Sequence, residues 1–170
     1  LTISKSLPKN IGTVIVKHAN PCGVSALYNK IESFKSALAC DPTSAFGGVV
    51  SCNFKITRNL ALELNKIFIE IIIANGFDKE ALKVLKSKKN IRIIDATNFS
   101  NNEILRLNSI DTSFLLQSED KKIFSKQNFN VVSKRKPNKS QFQSLLFAFN
   151  VCRYVKSNAI VLASNNSTVG

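Results

Sequence analysis

Two hydrophobic periods divide the chain. A continuous β-branched run, Val14-Ile15-Val16, predicts a buried strand over 12–17. Ile31, Phe34 and Leu38 recur at helical spacing and predict a helix over 24–39. Pro42 and Gly47-Gly48 punctuate the next loop, and Val49-Val50-Ser51-Cys52 reads as a second strand. Thr57 is placed to cap a helix with Leu60, Leu64 and Ile67 on one face. Ile69-Glu70-Ile71-Ile72-Ile73 is too β-branched for an ordinary helix and reads as a third strand, closed by Gly76. Asp78 stands before a short helix carrying Ala81, Leu82 and Leu85, and Ile91-Arg92-Ile93-Ile94 forms a fourth strand.

This alternation of strand and helix predicts an α/β layer with a largely parallel sheet. The pattern then changes. Residues 96–110 are rich in Asn, Ser and Thr and read as loop. Phe114-Leu115-Leu116-Gln117 and Val131-Val132-Ser133 read as short strands outside the first sheet. After Pro137 an amphipathic helix starts near Ser140, with Phe142, Leu145, Leu146, Phe149 and Cys152 as its apolar stripe. Ser157 to Ala163 reads as a strand and Asn165-Asn166-Ser167 as a turn. A boundary is expected within 118–137.

A chain of 170 residues with 44% apolar residues is long enough to bury a core as one domain. Mean hydropathy is +0.02, and no apolar run is long enough to span a bilayer. The start, Leu1-Thr2-Ile3-Ser4-Lys5, has no initiator Met and no signal-peptide architecture, so an internal fragment is expected. The formal charge is +13. Its lysines are scattered, however, and the aromatic residues are not interleaved with them as a nucleic-acid stacking platform requires. The charge reads as a solvated surface that attracts anionic substrates. Cys22, Cys40, Cys52 and Cys152 show no CxxC pair, which predicts reduced, mostly buried thiols in a cytoplasmic protein.

Chemistry concentrates where the first strand ends, at Lys17-His18-Ala19-Asn20-Pro21-Cys22-Gly23. His18 is the only histidine, hence the only side chain whose ordinary pKa suits a general base near neutral pH. Adjacent residues on a regular strand face opposite ways. Lys17 and His18 therefore serve one site only if the strand ends or bulges here, as Pro21 and Gly23 permit. Gly47-Gly48 allows a ligand to approach the backbone closely. Glu70 is an acid in an apolar run, which requires a partner or a strand end.

Three segments in order carry a resemblance to a known family: Val14–Gly23, Cys40-Asp41-Pro42-Thr43-Ser44-Ala45-Phe46-Gly47-Gly48, and Val155-Lys156-Ser157-Asn158-Ala159-Ile160-Val161. Weaker matches lie at Glu70–Ala74, Glu80–Leu82 and Lys88–Asn90. Together they resemble the AICAR transformylase domain of the bifunctional purine-biosynthesis protein. The resemblance implies a cytidine-deaminase-like layered α/β fold, with 1–117 as a first transformylase subdomain, 118–137 as a connection and 138–170 as the start of a second. It implies formyl transfer from 10-formyltetrahydrofolate to the 5-amino group of AICAR, in a homodimer that also carries IMP cyclohydrolase. Lys17 and His18 would be the catalytic pair. Asn158 would contact the formyl-folate end, Gly47 the AICAR ring or ribose, and Glu70, Lys89 and Thr43 the nucleotide.

Such a transfer needs a base to take the amine's proton and donors to meet the oxyanion. Lys17, His18 and Asn158 offer an ammonium, an imidazole and an amide. The sequence departs from the family pattern at Asn75, where Pro is usual, and at Thr112-Ser113, where Gly-Gly is common. A deaminase-type zinc site is not expected, because His18-Ala19-Asn20 lacks the Glu of H-x-E and Pro21–Ser25 lacks the second Cys. The alternatives are an inactive fragment of the same family and a basic nucleic-acid-binding module, for which no reading motif is present.

Overall fold

A computed structural model describes residues 1–99, 105–118, 120 and 122–170. In chain order it contains α1 (Thr2–Ser6), β1 (Gly12–Lys17), β2 (Asn20–Ala26), α2 (Lys30–Cys40), α3 (Pro42–Ala45), β3 (Gly48–Cys52), α4 (Arg58–Leu64) and β4 (Ile69–Ala74). Then follow α5 (Lys79–Lys86), β5 (Arg92–Asp95), β6 (Leu105–Ile110), β7 (Ser113–Ser118), α6 (Lys139–Cys152), β8 (Ala163–Ser164) and β9 (Ser167–Thr168).

Seven strands form one sheet in the order β5-β4-β3-β1-β2-β9-β8, so β1 is central, as its apolar run predicts. β3, β4 and β5 pair in parallel, while β1 is antiparallel to both neighbours. By direction, β5, β4, β3, β2 and β8 run one way and β1 and β9 the other. Successive residues of β1 feed opposite layers. Ile15 packs with Phe34 and Ala37 of α2, Leu60 and Leu64 of α4 and Leu85 of α5. Val14 packs with Val24, Val151 and Phe147, beneath α1 and α6. This is the α/β layer the alternation predicts, with helices flanking the sheet.

Four readings are corrected. Residues 24–26, expected to open the 24–39 helix, belong instead to β2; the helix begins only at Lys30, where the Asn29 side chain accepts from the main-chain N–H groups of Ile31 and Glu32. Residues 105–110, taken as loop, pair with 113–118 in a separate two-stranded sheet. Val131–Ser133 is not a strand. The run over 157–163 is extended only at its end, where Leu162 N–H donates to the Gly170 carbonyl and Val169 N–H to the Leu162 carbonyl. Ile160 is exposed, and no described strand pairs with it. Asn75, one of the departures, lies beyond β4's far end, about 16 Å along the strand from Glu70. There its side chain donates to the Asn53 carbonyl at 2.9 Å, so it ties strand ends together and is remote from Glu70.

Asn53 fastens α1 and the following loop to the sheet. Its Oδ1 accepts from Gly12 N–H at 2.8 Å, and its Nδ2 donates to the Ser4 and Pro8 carbonyls, each at 2.9 Å. The Ser4 carbonyl also accepts from Leu7 N–H at 3.3 Å, so the loss falls on Gly12 N–H and the Pro8 carbonyl. Asn53→Ala is expected to cost about 3 kcal/mol, the range for orphaning more than one buried polar group. A urea titration of the two proteins measures it, and an unchanged midpoint would refute this role.

Candidate active site

One end of the sheet collects the candidate residues. The antiparallel setting of β1 places its C-terminus beside the N-termini of β2, β3, β4 and β5. Val16 pairs with Val49 of β3 and Lys17 pairs with Asn20 of β2. His18 and Ala19 form the two-residue hairpin between β1 and β2, with φ of 51° and 62°. Positive φ at both central residues is the mark of the type I′ hairpin. The strand thus ends at Lys17, and His18 stands exposed in the turn. A bulge also lies between Ile15↔Gly23 and Val16↔Pro21, with Cys22 as the extra residue. Of the two alternatives the sequence left open, the strand end is the one that serves Lys17 and His18; the bulge lies on β2.

The Lys17 ammonium donates to the Gly47 carbonyl at 2.7 Å and lies 4.0 Å from Glu70 Oε1. Glu70 sits near the start of β4, half exposed, so the pair is a weak one held by the main-chain bond. Gly47 is set by its own N–H, which donates to the Phe68 carbonyl at 2.9 Å. Its φ of +65° lies in the left-handed region, and a Cβ there would stand 3.0 Å from Lys17 Nζ and 3.3 Å from Glu70 Oε1. Gly47→Ala combines about 1–2 kcal/mol of backbone strain with a displaced ammonium. We expect a lower denaturation midpoint and, in an active enzyme, about a hundredfold lower turnover. Wild-type turnover in the variant would refute the link between Gly47 and Lys17.

Among the described residues Asn158 makes no hydrogen bond or ion pair with Lys17, Gly47 or Glu70. The Lys156 N–H donates to Asn20 Oδ1 at 3.1 Å, which ties exposed Lys156 to the His18 hairpin. Thr43 is exposed on α3, whose Asp41 cap accepts from Ser44 N–H at 2.9 Å. Hydrogen bonds from Ser44, side chain and main chain, hold the Asp41 carboxyl below its ordinary range. Lys89 is exposed before β5 at this end of the sheet, and it makes none of the recorded contacts with Lys17, Gly47 or Glu70. Its neighbour Lys88 instead donates to the Ile67 carbonyl at 2.6 Å. The structure therefore joins Lys17, Gly47 and Glu70 directly, sets His18 next to Lys17 in the hairpin and ties Lys156 to Asn20, and it leaves Asn158, Thr43 and Lys89 at the margin.

Two features escaped the sequence reading. Asn20 links the hairpin to residue 156, and its position before Pro21 gave no hint of that partner. Phe46 and Phe68 flank Gly47 as a tilted pair with centroids 5.2 Å apart, 66% and 43% exposed. Their exposure beside polar groups is the signal, and it becomes visible only in three dimensions. Among the described residues no three His, Cys, Asp or Glu side chains gather as a metal would need, and no helix is long and apolar enough to cross a membrane.

Such a site defines an α/β protein that presents a lysine and a histidine from a tight hairpin against a glycine loop and a carboxylate. The sequence model of the AICARFT/IMPCHase bienzyme family matches residues 2–170, and the chain belongs to that family. It is 42% identical over 161 residues to the bifunctional purine biosynthesis protein PurH of Wigglesworthia glossinidia brevipalpis, covering 94% of this chain and 30% of that protein. It is 43% identical over 157 residues to PurH of Clostridium kluyveri, covering 92% and 31%. With PurH of Rhodospirillum rubrum it shares 42% identity over 158 residues, covering 92% and 30%. The chain thus spans about a third of the length of these relatives.

Proposed function

We propose that this chain is part of an enzyme of purine biosynthesis that transfers a formyl group from 10-formyltetrahydrofolate to the 5-amino group of AICAR. The observation that carries this reading is the placement of Lys17, on the Gly47 carbonyl and beside Glu70, with His18 next to it in an exposed turn. The exposed His18 imidazole takes the amine's proton as general base. The Lys17 ammonium and the Asn158 amide meet the charge that develops on the formyl oxygen. The exposed Phe46–Phe68 pair offers a flat apolar surface to the heteroaromatic ring. Glu70, Gly47, Thr43 and Lys89 line the nucleotide side.

On this reading residues 1–117 form the first transformylase subdomain and 118–137 a connection. Residues 138–170 open the second, docked on the first through Val151. The working enzyme is a cytoplasmic homodimer whose longer chain also carries IMP cyclohydrolase, and formyl-folate is its co-substrate. The test is formyl transfer by the intact protein containing this sequence. Lys17→Ala is expected to lower turnover by about two to three powers of ten, the cost of losing one oxyanion donor, with little change in AICAR KM. Equal turnover in the two proteins would remove Lys17 from the reaction.

A further inference from the structure

Cys22 and Cys40 stand where no reading of the candidate site uses them. β2 and α2 run antiparallel to each other, and their contacts step together. Ser33 Oγ donates to the Ser25 carbonyl at 3.3 Å, and the next step sets Ala37 against Gly23. The backbones touch there: a Cβ on Gly23 would lie 1.8 Å from the Ala37 carbonyl oxygen. Cys40 follows Ala37 by three residues, about 4.5 Å along the helix and close to one turn, so on nearly the same face. Cys22 precedes Gly23 by one residue, about 3.3 Å along the strand in the matching direction. The bulge at Cys22 turns its side chain to the α2 side, where it packs with the cluster containing Ala37 and Phe34. Both cysteines line one cavity of about 250 Å³ with Gly23 and Asp41.

We propose that Cys22 and Cys40 are a redox pair that closes to an intramolecular disulfide when the chain meets a peroxide. Their reactivity differs in a useful way. Burial pushes the Cys22 thiol up, with the charges of Asp41 and Cys40 adding to the effect, so Cys22 is the poorer nucleophile toward an outside oxidant. Cys40 is half-buried and also lines a second cavity, with Leu27, Ser36 and Val169. Cys40 sulfur attacks one peroxide oxygen, the O–O bond breaks, and a sulfenic acid and one water result. Cys22 sulfur then attacks the Cys40 sulfur, and the sulfenic oxygen leaves with the Cys22 proton as a second water. Two thiols are oxidised by two electrons and one peroxide is reduced to two waters. The new bond would tie the end of α2 and the α3–Gly47 loop to the bulge behind Lys17 and His18. Cys52 takes no part, because full burial pushes its thiol up to about 12.

The proposal does not depend on the formyl-transfer reading, and its test needs no catalysis. The native 170-residue chain is treated with hydrogen peroxide, alkylated, digested without reduction and analysed by mass spectrometry. The expected product is one peptide pair joined through Cys22 and Cys40, with the loss of one thiol pair per chain, restored by dithiothreitol. Cys152→Ser should leave this product unchanged. Cys40→Ser should abolish it and leave Cys22 as a free thiol, while Cys22→Ser should let Cys40 proceed to sulfinic acid. Sulfinic acid at Cys40 with free Cys22 in the unaltered chain, or cross-links formed only between chains, would overturn the proposal.

Discussion

His18→Asn in the intact enzyme is expected to lower formyl transfer by about two to four powers of ten, the usual contribution of a general base. Asparagine is chosen because residue 18 has a φ of 51° and asparagine tolerates that region well. The ring is exposed and, among the described residues, takes no recorded hydrogen bond. The substitution therefore removes chemistry and leaves packing alone. Thermal unfolding should be unchanged, and the loss should appear in turnover far more than in AICAR KM. A variant with near-normal turnover would take His18 out of the mechanism; a variant that unfolds early would mean that the turn had been misread as a purely chemical element.

The second large effect concerns the isolated chain. Residues 1–170 alone are expected to show no measurable formyl transfer. His18 and Asn158 are exposed, and the side chains of Glu70 and Lys17 are 48% and 28% exposed. A site open to this degree leaves the oxyanion donors in water, where they are worth far less than in a dry cavity. Nor does it hold two substrates in line, and a misplacement of about an ångström costs roughly a hundredfold. Assaying the 170-residue chain with AICAR and 10-formyltetrahydrofolate decides the matter. Turnover close to that of an intact enzyme would show that these residues suffice.

What the sequence disclosed and what it hid follow physical lines. Val14-Ile15-Val16 and Ile69–Ile73 were legible because buried strands in the middle of a sheet need apolar β-branched residues on both faces. β2 was hidden because Pro21 and Gly23 are punctuation in almost any other setting. Here Pro21 falls at a bulge, and Gly23 is required by the approach of the Ala37 carbonyl. Neither reason is local. β6 carried a visible period of two, Leu105-Arg106-Leu107, which the polar residues around it masked. The Lys17–His18 pair was legible as a motif, and the hairpin removes the objection that neighbours on a strand diverge. The Lys17–Gly47 contact crosses thirty positions of sequence and only topology makes it.

The two-residue hairpin also ranks the order in which the sheet can assemble. β1 and β2 are separated by His18 and Ala19 alone, whereas Ser25 meets Ser167 across 142 positions. Closing a loop costs about 0.6 kcal/mol more for each doubling of its length, and a hairpin closes in about 1–10 µs. The β1–β2 pairing, like the β8–β9 hairpin across Asn165-Asn166, is thus among the least costly in the sheet. The β2–β9 junction closes the longest loop and is the most costly, and it is held by the Val24 N–H bond to Thr168 Oγ1 and the Ser25–Ser167 hydroxyl pair. On a destabilised chain the terminal β8–β9 segment should detach from β2 first and become open to proteases, while the His18-Ala19 turn persists as a local nucleus.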